Sequence, residues 1–196
     1  MERARISLLT ICGLEELEGH GSRRPTHVLS ILDPGVPDPA AFEAYDPHHR
    51  VTLRFHDIIE PVPGMALPEP EHVRRILDFA RDLEADAAER DEGHLLIHCH
   101  MGISRSTAAM TMLLAQAYPE ESEADLLARL TAIRPQAWPN LRMIGFADEA
   151  LGRGGRLSAE VSRLHGRQIA AKPHLAQVMS DLGRRREVET ALKMAA

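Results

Sequence analysis

Aromatic residues make up only 4% of the 196 positions, so a deep aromatic-walled pocket is hard to build. Two cysteines, Cys12 and Cys99, are too few for a disulfide framework. No apolar run is long enough to span a bilayer. The opening Met1-Glu2-Arg3-Ala4-Arg5-Ile6 lacks the apolar segment of a secretion signal. An excess of positive charge is also missing: the net charge is −6, which gives no support for nucleic-acid binding. His98 and His100 flank Cys99, and His48-His49 form a pair, but no further Cys/His cluster completes four ligands. Neither a metal site nor a cofactor is expected. Internal repeats are absent. What remains is ordinary for a soluble fold, with 44% hydrophobic and 27% charged residues. The length suits one globular domain with an appendage.

The charge is unevenly spread. Residues 1–152 carry 14 Lys and Arg against 25 Asp and Glu, net −11, whereas residues 153–196 carry nine against four, net +5. Gly152-Arg153-Gly154-Gly155 marks the joint between a unit over 1–152 and a basic, helical extension over 153–196. Apolar runs predict strands at 6–11, 27–32, 51–55 and 94–98. A helix starts near Glu69 to Glu71 with Val73, Ile76, Leu77, Ala80 and Leu83 as its buried stripe. Helices are also expected at about 105–118, 122–134 and 140–151, the second opened by a Ser122/Asp125 capping box, then at about 157–170 and 174–193. Strands alternate with helices early and helices accumulate late. This order predicts an α/β fold: a central, partly parallel sheet flanked by helices, with a C-terminal helical extension.

The strand at 94–98 runs straight into His98-Cys99-His100-Met101-Gly102-Ile103-Ser104-Arg105-Ser106, and a helix follows at once. A strand–loop–helix of this kind aims several backbone N–H groups and a helix dipole at one point, which makes an anion site. Such a field favours the thiolate of a cysteine placed in it. Arg105 adds a fixed charge whose planar fork can hold two phosphate oxygens at once. The backbone of His100, Met101, Gly102, Ile103, Ser104 and Arg105 should surround the non-bridging oxygens, with Gly102 allowing the tight bend. Cys99 is then a nucleophile aimed at a bound oxyanion. A working thiolate needs a reducing compartment, so a cytoplasmic location is expected. Cys12, in an apolar run, reads as a buried core thiol.

His98-Cys99, five residues, then Arg105-Ser106 resembles the signature of the protein tyrosine phosphatase superfamily, and the flanks are most similar to its dual-specificity branch and compact bacterial relatives. The resemblance spans about residues 5–151. It includes Thr26–Ile31 as a second strand and Val51–Asp57 as the strand leading to the general-acid loop. Ile133-Arg134-Pro135-Gln136-Ala137-Trp138-Pro139-Asn140 is similar to the family's RP-x-x-x-PN segment. It implies that Ser106 donates a hydrogen bond to the sulfur, that His98 braces the loop from behind, and that the general acid sits at Asp57. Glu60, on the same Pro-rich loop, is the rival acid. Asn140 reads as a helix N-cap, and the resemblance adds support of the catalytic loop. His100 is either a substrate-selecting group at the mouth or a solvated loop residue.

The function implied is a cysteine-dependent phosphatase that hydrolyses phosphate monoesters through a cysteinyl-phosphate. Phosphotyrosine in proteins is the leading substrate, with phosphoserine and phosphothreonine also open. The partner is then a phosphorylated protein or a small phosphate ester, with no nucleic acid and no membrane span, and the oligomeric state is left open. A phosphatase for a non-protein ester is the alternative. The absence of lysine from the loop weighs against highly charged phosphoinositides. A sulfurtransferase or arsenate-reductase-type thiolate enzyme, and a phosphate-binding pseudophosphatase, are the readings from other classes. Every candidate residue precedes the joint at 152, so the extension should be dispensable for turnover of a small aryl phosphate.

Overall fold

The computed structural model describes residues 6–87 and 93–195; the Met1–Arg5 segment lies outside the described residues. Four strands form one sheet: β1 (Ile6–Cys12), β2 (His27–Leu32), β3 (His49–Arg54) and β4 (Gly93–His98), in the order β1-β4-β2-β3. All three pairings among the described residues are parallel, where the sequence predicted a partly parallel sheet. Parallel sheets are covered on both faces, which explains why β2 and β4 read as continuous apolar runs instead of alternating. Side-chain parity divides them. Leu29, Ile31, Leu95 and Ile97 enter the principal core beneath the helices. Val28 and Leu96 face the other way, into a smaller cluster with Cys12 and Leu17. Among the described residues, that second face is covered by the 3-10 segments Leu14–Arg23 and Ala40–Ala44.

Seven helices follow the strands or separate them among the described residues. They are α1 (Pro70–Ala87), α2 (Arg105–Ala117), α3 (Glu123–Ile133), α4 (Leu141–Ala150), α5 (Arg156–Ala171), α6 (Leu175–Met179) and α7 (Arg185–Ala195). The expected stripe of α1 is buried from Val73 to Leu83. The Ser122 hydroxyl caps α3 by accepting from the Asp125 N–H at 3.2 Å. Helix α2 is buried on every side from Arg105 to Ala115, which suits its small and Met-rich composition and sets its N-terminus under the loop that leaves β4.

The segment beyond Gly152 is packed on the rest. Leu157, Val161 and Leu164 of α5 belong to the principal core. Asp148 of α4 accepts from the Gly155 and Ser158 N–H groups at 2.8 and 2.7 Å, and so caps α5 in place of a local side chain. The single helix expected over 174–193 is broken. Gly183 sits at φ +76°, a left-handed conformation that costs glycine little, and the axis turns there between α6 and α7. Beyond the turn, Val188 and Ala191 pack with Trp138, Ile169 and Met179, and Ile103 of the β4–α2 loop lies against them.

Candidate active site

The loop from Cys99 to Arg105 is held from outside by its carbonyls. The His100 carbonyl accepts from the Leu14 N–H at 2.9 Å, Met101 from Arg134 Nη2 at 3.1 Å, Gly102 from Arg134 Nε at 3.0 Å, and Ile103 from the Trp138 N–H at 2.9 Å. Each peptide is planar and trans, so an outward carbonyl turns the next N–H inward. The N–H groups of Met101, Gly102, Ile103 and Ser104 therefore converge on the concave side. Arg134 is itself fixed by a two-pronged pair with Glu16, both contacts at 2.9 Å. Gly102 has φ +66°, and a Cβ there would meet the Cys12 carbonyl carbon at 2.4 Å, because the loop crosses directly over the end of β1. No other residue fits.

Cys99 lies at the floor of this loop, 2% exposed, with its Sγ 3.2 Å from the Ser106 hydroxyl. Arg105 is equally buried. Its Nη1 donates to the Asp33 carboxylate at 2.6 Å and to the Phe55 carbonyl at 2.5 Å, while its buried Nε–H has no partner among the described residues. One edge of the guanidinium is thus anchored and the other is left for an anion. His98 is fully buried behind the cysteine, its Nε2 at 2.7 Å from the Ser30 hydroxyl and its ring 5.5 Å from that of Phe42. Burial pushes it down to about 4, so it is neutral near pH 7. The His100 ring is folded over Asp33, accepting from the Asp33 N–H at 3.4 Å with Nδ1 3.8 Å from its carboxylate. Met101 is the exposed residue of the mouth, at 68%.

Asp57 follows β3 and faces the loop. Its Oδ1 accepts three hydrogen bonds: from Ser104 Oγ at 2.8 Å, Asn140 Nδ2 at 2.9 Å and Arg184 Nη1 at 2.7 Å. Burial by itself raises the carboxyl, but Arg184 and then Arg105, with the bonds from Asn140 and Ser104, hold it below its ordinary value. Asn140 serves two ends. Its Oδ1 caps α4 by accepting from the Met143 N–H at 3.1 Å, and its Nδ2 reaches Asp57 and the Ile58 carbonyl. Both Nδ2 bonds go to the segment after β3, and the Asp57 oxygen that takes one of them also takes the bond from Ser104 of the cysteine loop. Glu60, the rival acid, is exposed and pairs with the equally exposed Arg186 at 3.6 Å.

Sequence reasoning missed Asp33, Arg184 and Glu187. Asp33 had the look of a turn residue in Asp33-Pro34-Gly35, yet it directly follows β2, the strand beside β4, at the end where ligands of parallel sheets gather. Arg184 comes from the extension. Its guanidinium, 2% exposed, also meets Ser104 Oγ at 3.2 Å and Glu187 at 2.8 and 3.0 Å. Glu187, with no exposure at all, accepts further from Trp138 Nε1 and the Leu141 N–H, both at 2.7 Å. The one sequence signal was the opposite charge of Arg184 and Glu187 at i, i+3.

Such a site can hold a tetrahedral oxyanion against a thiol with a carboxyl group beside it. No family model matches the sequence, and no curated protein matches it. Solved structures do match. Human DUSP28 superposes with a TM-score of 0.54 at 19% identity, over 79% of this chain and 99% of that one. The Yvh1 phosphatase domain from Chaetomium thermophilum gives 0.50 at 23%, over 76% and 93%. The human tyrosine phosphatase-like serine/threonine/tyrosine-interacting protein gives 0.52 at 17%, over 73% and 87%. The likeness is one of fold: the chain carries the fold that these phosphatase structures share.

Proposed function

We propose that this protein is a cysteine-dependent phosphatase that hydrolyses phosphate monoesters, with phosphotyrosine in proteins as its leading substrate. Phosphoserine and phosphothreonine also fit a site whose mouth is framed by an exposed Met101 in place of an aromatic wall. The observation that carries the reading is the loop after Cys99: its four outward carbonyls turn the following N–H groups to the other side, and the buried Arg105 Nε–H has no partner among the described residues. Such donors are fixed in advance where charge sits in the transition state.

In the first step the Cys99 thiolate attacks phosphorus, the phosphorus–oxygen ester bond breaks, and the leaving oxygen takes a proton from Asp57. In the second, water attacks the cysteinyl-phosphate, its proton passes to Asp57, and the sulfur leaves as thiolate, steadied by the Ser106 hydroxyl 3.2 Å away. This chemistry requires free thiols, and both cysteines are free. That requirement favours a reducing, cytoplasmic setting.

The test is Cys99→Ser. Hydrolysis of p-nitrophenyl phosphate is expected to vanish while inorganic phosphate still binds, since the loop's donors stay in place. Activity within about tenfold of wild type would show that the thiol is not the nucleophile. A panel of phosphotyrosine, phosphoserine and phosphothreonine peptides, phosphoinositides and inositol phosphates identifies the substrate class. Sulfur transfer from thiosulfate would turn the reading to a sulfurtransferase.

A further inference from the structure

Asp57 is held asymmetrically. Ser104, Asn140 and Arg184 all donate to Oδ1, and no protein donor contacts Oδ2 among the described residues. Its side chain is 32% exposed, so the carboxyl is not sealed from solvent. A proton on Oδ1 would clash with three donors, so the acidic proton belongs on Oδ2. The tightest of the three donors comes from the extension, and that donor is itself anchored. Glu187 grips the guanidinium from the far side and is in turn tied to Trp138 Nε1 and the Leu141 N–H. The left-handed turn at Gly183 brings Arg184 to this point.

We propose that Arg184 is a positioning residue of the phosphatase reaction: by holding Asp57 through Oδ1 it leaves Oδ2 as the oxygen that delivers the proton to the leaving group. The inference rests on the reading of Asp57 as general acid. It makes the extension a working part of the site, against the sequence expectation that turnover of a small substrate is independent of it.

The charged groups facing Asp57 are Arg184, from the turn before α7, and Arg105 of α2; its neutral donors are Ser104 and Asn140. Glu187 lies behind Arg184, and Asp33 binds the Nη1 side of Arg105. Removing Arg184 leaves Arg105, itself half-compensated by Asp33, as the remaining cation that acts on Asp57 among the described residues. Asp57 then gives up its proton at higher pH. The alkaline limb of kcat/KM, where the acid is lost, moves upward.

The experiment compares Arg184→Met, Arg184→Lys and Asp57→Asn on phenyl phosphate, whose leaving group needs the proton, and on 2,4-dinitrophenyl phosphate, whose leaving group does not. For Arg184→Met, kcat on phenyl phosphate at the variant's own pH optimum is expected to fall about tenfold or more, within the range acid catalysis supplies. KM and dinitrophenyl phosphate turnover should change little, the alkaline limb should shift upward, and Arg184→Lys should restore part of both effects. In an Asp57→Asn background the Arg184 substitution should add nothing, because the two act as a unit. A folded Arg184→Met with a wild-type ratio of the two turnovers and an unmoved limb overturns the proposal. So does a kcat above wild type, which would make the extension an inhibitor. If Asp57→Asn itself spares phenyl phosphate, the acid assignment falls and takes the proposal with it; if Asp57→Asn is crippled while Arg184→Met is not, only the proposal falls. Should Arg184→Met not fold, Arg184→Gln is judged on the limb alone, an upward shift supporting the proposal and an unmoved limb overturning it.

Discussion

Glu187→Ala tests the buried network that fastens α7 to the rest of the molecule. The carboxylate has no exposure and makes four contacts between 2.7 and 3.0 Å: two to Arg184, one to Trp138 Nε1 and one to the Leu141 N–H. Truncation strands two buried neutral donors, each costing about 1–3 kcal/mol. It also leaves the Arg184 guanidinium with Asp57 as its one carboxylate among the described residues, and breaking a buried pair costs about 3–5 kcal/mol. These losses overlap because the groups share one network, so they do not add. An overall loss of about 3–5 kcal/mol is expected, a large share of the roughly 5–15 kcal/mol that holds a domain together. In a chain of this size each kcal/mol lowers Tm by about 2–4 °C, which puts the drop at about 6–20 °C. Urea unfolding followed by circular dichroism measures it, with an unchanged m-value confirming that the same surface is exposed. Replacing both Arg184 and Glu187 with Met should cost less than Glu187→Ala alone, since no uncompensated charge is then buried between them. A loss under about 1 kcal/mol for a folded Glu187→Ala would refute the reasoning, because such a value belongs to a solvated surface pair.

Two further outcomes follow from the buried histidines and from Ser106. Burial holds His98 down to about 4, and burial with Arg184 nearby holds His165 down to about 3, while an unfolded histidine titrates near 6.5. The unfolded chain therefore binds more protons below that pH. Stability is full above about 6.5 and falls on acidification, by about 3–4 kcal/mol between pH 7 and pH 5 for the two together; a urea midpoint unchanged over that span would mean that the histidines are not held neutral. Ser106→Ala should slow breakdown of the cysteinyl-phosphate more than its formation and so produce a rapid-quench burst; equal slowing of both steps would count against a leaving-group role for the hydroxyl.

Legibility in the sequence followed the range over which each feature is encoded. Strand β2 and strand β4 are apolar runs whose ends fall within a residue of those expected, because a doubly covered parallel strand has no other composition to offer. The stripe of α1 and the cap of α3 are local patterns of three and four residues, and both are present in the fold. The loop between Cys99 and Arg105 was readable because its chemistry is contiguous. The partners of its charged groups were not. Asp33 lies 72 residues from Arg105, and Arg184 lies 127 residues from Asp57. The charge pair of Arg184 with Glu187 does not single it out, since Arg186 and Glu189 have the same spacing; the turn at Gly183 selects it, and a glycine within an amphipathic run is as compatible with a continuous helix as with a break. The role of Asn140 was half visible, since capping is local and its reach to Asp57 is tertiary.

The pairing of both guanidiniums has a consequence for how a substrate arrives. Arg105 is matched by Asp33, and Arg184 by Asp57 and Glu187, within a chain of net charge −6. Seen from beyond a Debye length of about 8–10 Å, the site offers little positive field to draw in a dianion. On the proposed function, a phosphate ester reaches it by unsteered diffusion, and the donors that hold it, the loop N–H groups and the open edge of the paired Arg105 guanidinium, act only at contact. Capture of this kind varies little with ionic strength. It gives no advantage to ligands that carry many phosphates over those that carry one.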